Sequence, residues 1–293
     1  MSHLSDLTAA LLTAALNAGA EDADAIATDG VSQSIEVLGG ALEHAERAEG
    51  IEIGLRVLIG KRQACVSASD TKPDTMREMA ERAVAMAKLA PEDAHIGLAE
   101  ASDVTSDTDA SALALYEDAE EPSPATLEDR ALRAEAAALG IDGVSKADTA
   151  SAGYSRTDMH LAATNGFQGG YKRSGHWVSC VAITGSGTDM ERDYHGEMRV
   201  SADDMPTPED IGSLAGQRTV ARAGARKPPT GAFPVLYDER IASGLIGHLV
   251  NAANGASIAR GASWLLDKRG QAVLPPGLSL EENPRRPAVS GSK

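Results

Sequence analysis

The strictest pattern in this chain of 293 residues is a strand-like alternation between residues 51 and 59. Ile51, Ile53, Leu55, Val57 and Ile59 occupy every second position. Because successive side chains of a strand point to opposite faces, this spacing predicts a strand with one buried face. A Gly60-Lys61 turn then leads into a second apolar run over 62–68, and the pair predicts an antiparallel meander.

Helical patterns bracket this meander. The first begins near Ser5, a typical capping residue, and ends at Asn17-Ala-Gly19, with leucines at helical spacing between them. A second, amphipathic helix is predicted over 73–90, with Pro73 in its first turn. The remaining strands and turns of this part are predicted at 34–37, Gly39-Gly40, 41–47 and Glu49-Gly50.

The same kinds of pattern recur further along the chain. Thr126 and Thr207 each begin a capping sequence, and the helices that follow are predicted to end near Gly140 and Arg226. Between them, 144–200 is predicted as a run of strands. Its turn signals are Asn165-Gly166, Gly169-Gly170 and Gly185-Ser-Gly187.

These patterns predict an α+β fold of antiparallel sheets with flanking helices, in several domains. We expect an N-terminal α+β domain over 1–97, an acidic linker over 98–125, a middle α+β domain over 126–229 and the start of a C-terminal domain over 230–293. In the last, a strand over 233–237 and a helix over 239–253 are predicted. Too few strands follow to complete a sheet, so we expect this domain to be incomplete.

The net charge of the chain limits the classes of molecule that it is expected to bind. The chain has 43 Asp and Glu against 27 Lys and Arg, a net charge of −16. Such a surface repels phosphate backbones and anionic lipids, so neither nucleic acid nor a membrane is expected as a partner. No apolar stretch approaches the roughly 20 residues of a spanning helix, and a secretory signal is not evident, so a cytoplasmic location is expected. Cys65 and Cys180 are predicted to be reduced thiols.

Catalytic and metal-binding motifs are sparse. No two of the seven histidines lie four residues apart, the spacing that a helical zinc site requires. Asp158-Met-His160 and Asp193-Tyr-His195 each place an acid and an imidazole on one strand face, which is compatible either with a metal or with cross-strand polar pairing. Neither a nucleophile elbow nor a phosphate-binding loop is present. The sequence therefore predicts no catalytic residues.

Two stretches carry a family resemblance. The segment Gly50-Ile-Glu-Ile-Gly-Leu-Arg-Val-Leu-Ile-Gly-Lys-Arg-Gln-Ala-Cys65 is similar to the N-terminal signature of the TldD/PmbA family, also called the modulator of DNA gyrase family. The opening of that family's C-terminal domain resembles Pro234-Val-Leu-Tyr-Asp238, Leu245-Ile-Gly-His-Leu-Val250, Gly255 and Arg260-Gly-Ala-Ser-Trp-Leu-Leu266. These matches occur in the family's order along nearly the whole chain.

The resemblance implies a role in a two-subunit metalloprotease. In that family a TldD subunit carries His-Glu-x-x-x-His on a helix, and a homologous PmbA/TldE subunit accompanies it. When the chain is aligned on Gly255 and on Gly261-Ala-Ser263, the ligand positions fall on Ile246 and Asn251, and the base falls on Gly247. Other registers place His248 at one ligand position without a second histidine. The chain thus resembles the PmbA/TldE-type subunit, binding no metal itself, with zinc expected on a TldD-like partner.

Three residues are candidates for lining a peptide channel, namely His248, Asn251 and Ser263. For His248, a packed position in a core is the alternative. The resemblance implies a cytoplasmic complex that degrades or processes unfolded peptides, such as antitoxins or peptide-antibiotic precursors, as a heterodimer with a TldD-like subunit or as a homodimer. Two alternatives stay open: a non-enzymatic peptide-binding or homodimeric module linked to the gyrase-inhibitor response, and a stand-alone metallohydrolase using His160, His195 or strand carboxylates.

Overall fold

The computed structural model describes residues 3–289, 291 and 292. These residues divide into two compact units. The sheet unit holds the residues up to 225 together with those from 284 onward, and the helical unit holds residues 226–283.

The sheet unit contains six strands and four helices. The strands are β1 (Asp22–Leu38), β2 (Ala41–Ile59), β3 (Arg62–Ala68), β4 (Val144–Ala163), β5 (Gln168–Thr184) and β6 (Glu191–Arg199). The helices are α1 (His3–Ala18), α2 (Pro73–Leu89), α3 (Pro124–Leu139) and α4 (Pro208–Ala221). The α+β class predicted from the sequence is confirmed.

All six strands belong to one antiparallel sheet in the order β3-β2-β1-β4-β5-β6. The strands predicted for 1–97 and those predicted for 126–229 are joined in this sheet because β1 pairs with β4, from Asp24 opposite Ala163 to Val37 opposite Ala150. The helices cover one face of the sheet. Along β1 the odd-numbered residues other than Asp29 are buried: Ala23, Ala25 and Ala27 lie under α1 and α2, whereas Ile35 and Val37 lie under α3 and α4.

Three sequence predictions for the strands of the sheet unit are wrong. Strand β1 begins at Asp22 rather than at residue 34, because the buried alternating residues at its start are alanines, which have little strand propensity. Strand β2 continues through the predicted turn at Glu49-Gly50, since Gly50 pairs with Gly30 in an unbroken ladder. Gly169-Gly170 lies within β5 rather than in a turn.

Helix starts agree more closely with the predictions. Thr207 caps α4, its hydroxyl accepting a hydrogen bond from Asp210 N at 3.1 Å, and Pro208 follows in the first turn. Helix α3 begins earlier than expected, because Ser123 Oγ accepts from Thr126 N at 3.1 Å and Ser123 is the cap. Helix α4 ends at Ala221 rather than near Arg226.

The acidic segment over 98–125, expected to be a surface linker, packs partly against the sheet. Leu113 and Leu115 are buried, and Leu115 O accepts a hydrogen bond from Ser174 N of β5 at 3.0 Å. The aliphatic side chains of an otherwise polar segment therefore fix its course.

The helical unit contains α5 (Glu239–Ala253) and α6 (Gly255–Ala259). Helix α5 has the bounds predicted from the sequence, but residues 233–237 form no strand, contrary to the prediction. Within the described part of the chain, every helix is too short or too polar to cross a bilayer.

Candidate functional site

The aligned metal-motif positions lie on α5, whose ends are fixed by local hydrogen bonds. Asp238 Oδ1 accepts from Arg240 N at 3.0 Å and caps the start of the helix. At the other end, Asn254 Oδ1 accepts from Ala256 N at 3.0 Å and from Ser257 N at 3.2 Å, so α5 stops and α6 begins at one residue. The α5–α6 corner is therefore encoded locally.

Ser263 stabilises the turn that returns from α6. Its hydroxyl donates to Ala252 O at 2.5 Å and accepts from Leu265 N at 3.0 Å. Ala252 and Leu265 are buried. The hydroxyl thus holds the return segment against α5, and a role for Ser263 in a peptide channel stays a prediction.

His248 and Asn251 share one exposed face of α5. They are three residues apart, so their side chains are neighbours on the helix surface. Both are exposed, and open space surrounds the Cβ positions of Gly244 and Gly247 on the same side. Among the described residues His248 is exposed and not packed in a core. A channel-lining role for His248 and Asn251 is compatible with their exposure and stays a prediction.

The residues on α5 do not fit a zinc site. A catalytic zinc needs three protein ligands and a base close to its bound water. Ile246 and Gly247 offer no donor atom, Asn251 offers only a neutral amide, and His248 is a single imidazole. Over residues 3–289, 291 and 292, three or more His, Cys, Asp or Glu side chains nowhere come together in a metal-binding group.

His160 and His195 occupy separate polar clusters. His160 Nδ1 lies 2.9 Å from Thr8 Oγ1 of α1. Burial lowers the pKa of His160, and the negative charge of Asp158, which raises the pKa, offsets this only in part. His195 Nδ1 lies 2.8 Å from Arg218 Nη1 of α4.

The sheet register keeps these two histidines apart. His160 is opposite Gly170 of β5 and His195 is opposite Cys180, so ten residues of strand, about 33 Å, separate them. They cannot share a metal.

The structure assembles a polar cluster that the sequence did not predict, the Glu117 cluster of Glu117, His176 and Ser201. Glu117 Oε2 lies 2.8 Å from His176 Nε2, and Glu117 Oε1 accepts from Ser201 Oγ at 2.5 Å. His176 is buried, with its ring centroid 5.0 Å from that of Tyr154. Glu117 and His176 are 59 residues apart in sequence, and no local motif links them.

The surroundings of Glu117 stabilise its ionised form over its protonated form. Burial alone would raise the pKa of Glu117, but hydrogen bonds from Ser201 and from Ala202 N, followed by His176, outweigh it and the pKa is lowered. Ser201 donates to the carboxylate and not to His176, so it lacks the base that would activate a serine nucleophile. The cluster attaches the 98–125 segment to β5 and does not form a catalytic triad.

The two thiols are far apart and free, as predicted. Cys65 is exposed on β3, whereas Cys180 is buried on β5. Burial raises the pKa of Cys180 to about 12, which keeps it protonated and unreactive at neutral pH.

Models of three consecutive domains from one family match the chain. PmbA/TldA metallopeptidase domain 1 matches residues 23–87, the central domain matches 117–223 and the C-terminal domain matches 230–293. The matches are in the order of the family's domains.

Named relatives agree with this assignment. Metalloprotease PmbA of Escherichia coli O157:H7 is 32% identical over 261 residues, covering 88% of this chain and 56% of that protein. A metalloprotease PmbA homolog of Haemophilus influenzae is 30% identical over 245 residues, covering 83% and 53%. The chain spans about half the length of the curated relatives it matches.

Solved structures have the same fold. A putative modulator of DNA gyrase from Bacteroides thetaiotaomicron superposes with a TM-score of 0.87 at 20% identity, covering 99% of this chain and 66% of that one. TldE from Thermococcus kodakarensis superposes with a TM-score of 0.66 at 17% identity, covering 89% and 58%. With three domain models matched in order and a relative at 32% identity over 261 residues, the chain belongs to the PmbA/TldD family.

Proposed function

We propose that the chain acts as a PmbA/TldE-type subunit of a cytoplasmic TldD/TldE-type metalloprotease, binding no catalytic metal itself. The proposal rests on α5, where alignment on Gly255 and Gly261-Ala-Ser263 assigns Ile246, Gly247 and Asn251 to the positions of the family's zinc ligands and base. The zinc and the hydrolytic water would then belong to a TldD-like partner. The substrates would be unfolded peptides, such as antitoxins or peptide-antibiotic precursors.

The exposed face of α5 gives this subunit a means of contacting a peptide. Gly244 and Gly247 leave the helix backbone uncovered, and His248 and Asn251 on the same face offer hydrogen-bonding groups. Polar side chains beside bare backbone suit contacts to a peptide main chain, which do not depend on the peptide's sequence. We therefore expect this face to position substrate and not to cleave it.

The test compares the chain alone with the chain mixed with a TldD-like subunit. We expect the purified chain to contain less than stoichiometric zinc and to leave an unstructured peptide intact, and the mixture to cleave that peptide faster or at different bonds than the TldD-like subunit alone. Metal content is measured by mass spectrometry and cleavage by chromatography. Stoichiometric zinc with chelator-sensitive cleavage by the chain alone would overturn the proposal.

A variant with zinc-binding side chains on α5 provides a second test of zinc binding. The triple variant Ile246→His, Gly247→Glu, Asn251→His places His-Glu-x-x-x-His on α5 and should bind zinc more tightly than the parent chain. The matched control carries Ile246→Gln, Gly247→Gln and Asn251→Gln, which changes the same positions without adding zinc ligands. Equal zinc binding by the triple variant and its control would show that two histidines and a glutamate at these positions of α5 do not form a zinc site in this chain.

A second candidate is a non-enzymatic binding module or homodimer. It is favoured by apolar side chains of α5 that stay exposed, including Ile241, Leu245 and Val250 at 46–60%. Two structural neighbours are named as putative modulators of DNA gyrase. This candidate predicts peptide binding or self-association without any change in cleavage when a TldD-like subunit is added.

A further inference from the structure

One edge of β5 has no strand beside it. β6 pairs only with residues 176–184, so within the described residues the first half of β5 has β4 on one side and no strand on the other. Ser174 N donates to Leu115 O on that free side. Because N–H and C=O groups alternate in direction along a strand, those of Gln168, Gly170 and Lys172 point to the same free side.

The 98–125 segment arches over this edge without filling it. It contacts β5 near Gly169, where an added Cβ would lie 3.0 Å from Thr108 Cγ2, and again at the Leu115–Ser174 hydrogen bond. Between these contacts a cavity of about 400 Å³ separates the arch from residues 170–172. Gly170 must stay glycine because a Cβ there would clash with Met159 O, so the edge backbone is bare.

A second, apolar cavity of about 580 Å³ adjoins the first, and the two share Thr108, Asp109, Gly170 and Tyr171. We name it the edge cavity. Its apolar lining is Ile26, Leu113, Met159, Leu161, Phe167 and Tyr171. This size is typical of pockets that hold a large side chain or a small ligand.

The charges around the edge cavity favour a cationic neighbour. The charged residues that line it are Asp107, Asp109 and Arg285, and Arg285 lies 3.7 Å from Asp107. Two carboxylates and one guanidinium give the lining one excess negative charge. Asp109 Oδ1 accepts from Ser111 N at 2.8 Å, and this backbone hydrogen bond lowers the pKa of Asp109. Lys172 lies on the side of the smaller cavity, 5.6 Å from the ring centroid of Tyr116. The net charge of −16 also attracts a basic partner.

We propose that the edge cavity binds an extended peptide that pairs with the free edge of β5 and inserts one large apolar side chain, with a basic residue two positions along, on the same face of the added strand, facing Asp107 and Asp109. A strand edge supplies main-chain hydrogen bonds, and a pocket beside it selects a side chain. The site lies in the sheet unit and uses no residue of α5. The inference therefore does not depend on the proposed protease role.

The probe is the capped peptide Gly-Thr-Phe-Thr-Lys-Gly, in which Phe and Lys share one strand face, titrated into the chain by isothermal calorimetry. Replacing its Phe by Gly should weaken binding about tenfold or more, since the variant peptide no longer buries a large apolar side chain. Replacing its Lys by Glu should weaken binding less. The backbone amides of the peptide form two alternating sets, and only one set faces the edge of β5. N-methylation of that set should abolish binding, whereas N-methylation of the other set should leave binding unchanged.

Protein variants locate the site. Met159→Trp should fill the edge cavity and abolish binding, and Leu161→Gln should weaken it by removing apolar lining. The matched control Met198→Trp changes an exposed methionine of β6 outside the edge cavity and should bind like the parent. Circular dichroism checks that each variant folds.

Absence of binding to the Phe-Thr-Lys peptide at about millimolar concentration would overturn the proposal, as would equal binding by Met159→Trp, Leu161→Gln and the parent. Equal loss with both N-methylated sets would exclude strand pairing. The titration contains neither zinc nor a TldD-like subunit, so its failure leaves the zinc and cleavage tests of the protease proposal unaffected.

Discussion

At the residue scale, Glu135 is the most fully buried acid in the described part of the sheet unit, 2% exposed. Its two carboxylate oxygens accept from Gly39 N at 2.7 Å and from Gly40 N at 2.8 Å. Both glycines have positive φ, +64° and +76°, a backbone conformation that suits a two-residue hairpin. Glu135 therefore ties the β1–β2 turn to α3.

We expect Glu135→Gln to lower the free energy of unfolding by about 1–3 kcal/mol, because the amide replaces one of two charge-assisted acceptors with a donor that faces a backbone N–H. Urea denaturation followed by circular dichroism measures the loss. The matched control is Glu128→Gln on the same helix, which should cost no more than about 0.5 kcal/mol. Equal effects of the two changes would refute the structural role of Glu135.

Glu117 is the residue whose ionisation should couple stability to pH. Its pKa is lowered in the folded protein, so its contribution is complete above the ordinary carboxyl pKa of about 4.3 and is lost as pH falls through the lowered value. The stability difference between the parent and Glu117→Gln should therefore be largest near neutral pH and should shrink below about pH 4. Urea titrations across this range measure it. Glu120→Gln changes an exposed residue of the same segment, and the stability difference between this variant and the parent should not shrink at low pH.

At the element scale, α3 and α4 approach each other through glycines. A Cβ at Gly212 would overlap Ala134 O, and one at Gly216 would lie 2.8 Å from Ile141 Cγ1 and 3.0 Å from Ala138 O. The absence of side chains lets the two helices pack backbone against backbone over the β4–β6 end of the sheet. The weak amphipathic pattern of α4 gives little sign of this contact.

Gly212→Ala should accordingly destabilise the protein by about 1–3 kcal/mol, although alanine is the better helix former by about 1 kcal/mol. The overlap is with backbone, which cannot turn away. Ser213→Ala, next along α4, serves as the control and should change stability by less than about 0.5 kcal/mol. Thermal and urea unfolding of the two variants measure both effects. A Gly212→Ala protein as stable as the parent would show that the helices can separate at little cost.

At the scale of the whole molecule, the excess of acidic residues is the dominant electrostatic feature. A net charge of −16 on 293 residues gives like-charge repulsion that favours expanded states. Individual surface ion pairs, such as Arg133 with Glu209, offset this by small amounts because water and salt screen them.

Salt should therefore stabilise the folded chain. We expect the free energy of unfolding to rise on the order of 1 kcal/mol between about 0.02 M and about 0.3 M NaCl, as the Debye length becomes shorter. The triple variant Asp103→Asn, Asp118→Asn, Glu120→Gln, which removes three acids of the 98–125 segment, should reduce this gain. Urea denaturation at the two salt concentrations gives the comparison. A fall in stability with salt would mean that ion pairs outweigh the repulsion.

The sequence by itself determined the local elements whose signals are short in range. The alternation of Ile53, Leu55 and Val57 set the buried face of β2, Thr207 and Pro208 set the start of α4, and Asp238 set the start of α5. That Ile246, Gly247 and Asn251 carry no imidazole, thiol or carboxylate is also a property of the sequence alone. In each case the physical cause acts within a few residues of the chain.

Only the tertiary structure decided which strands share a sheet and which polar groups meet. The β1–β4 pairing joins residues more than one hundred apart, and the Glu117–His176 contact and the edge cavity depend on how the 98–125 segment crosses β5. The alanines of β1 acquire their strand conformation from neighbours on both sides and not from their own propensity. Such contacts follow from the simultaneous packing of distant segments, which no local pattern of residues encodes.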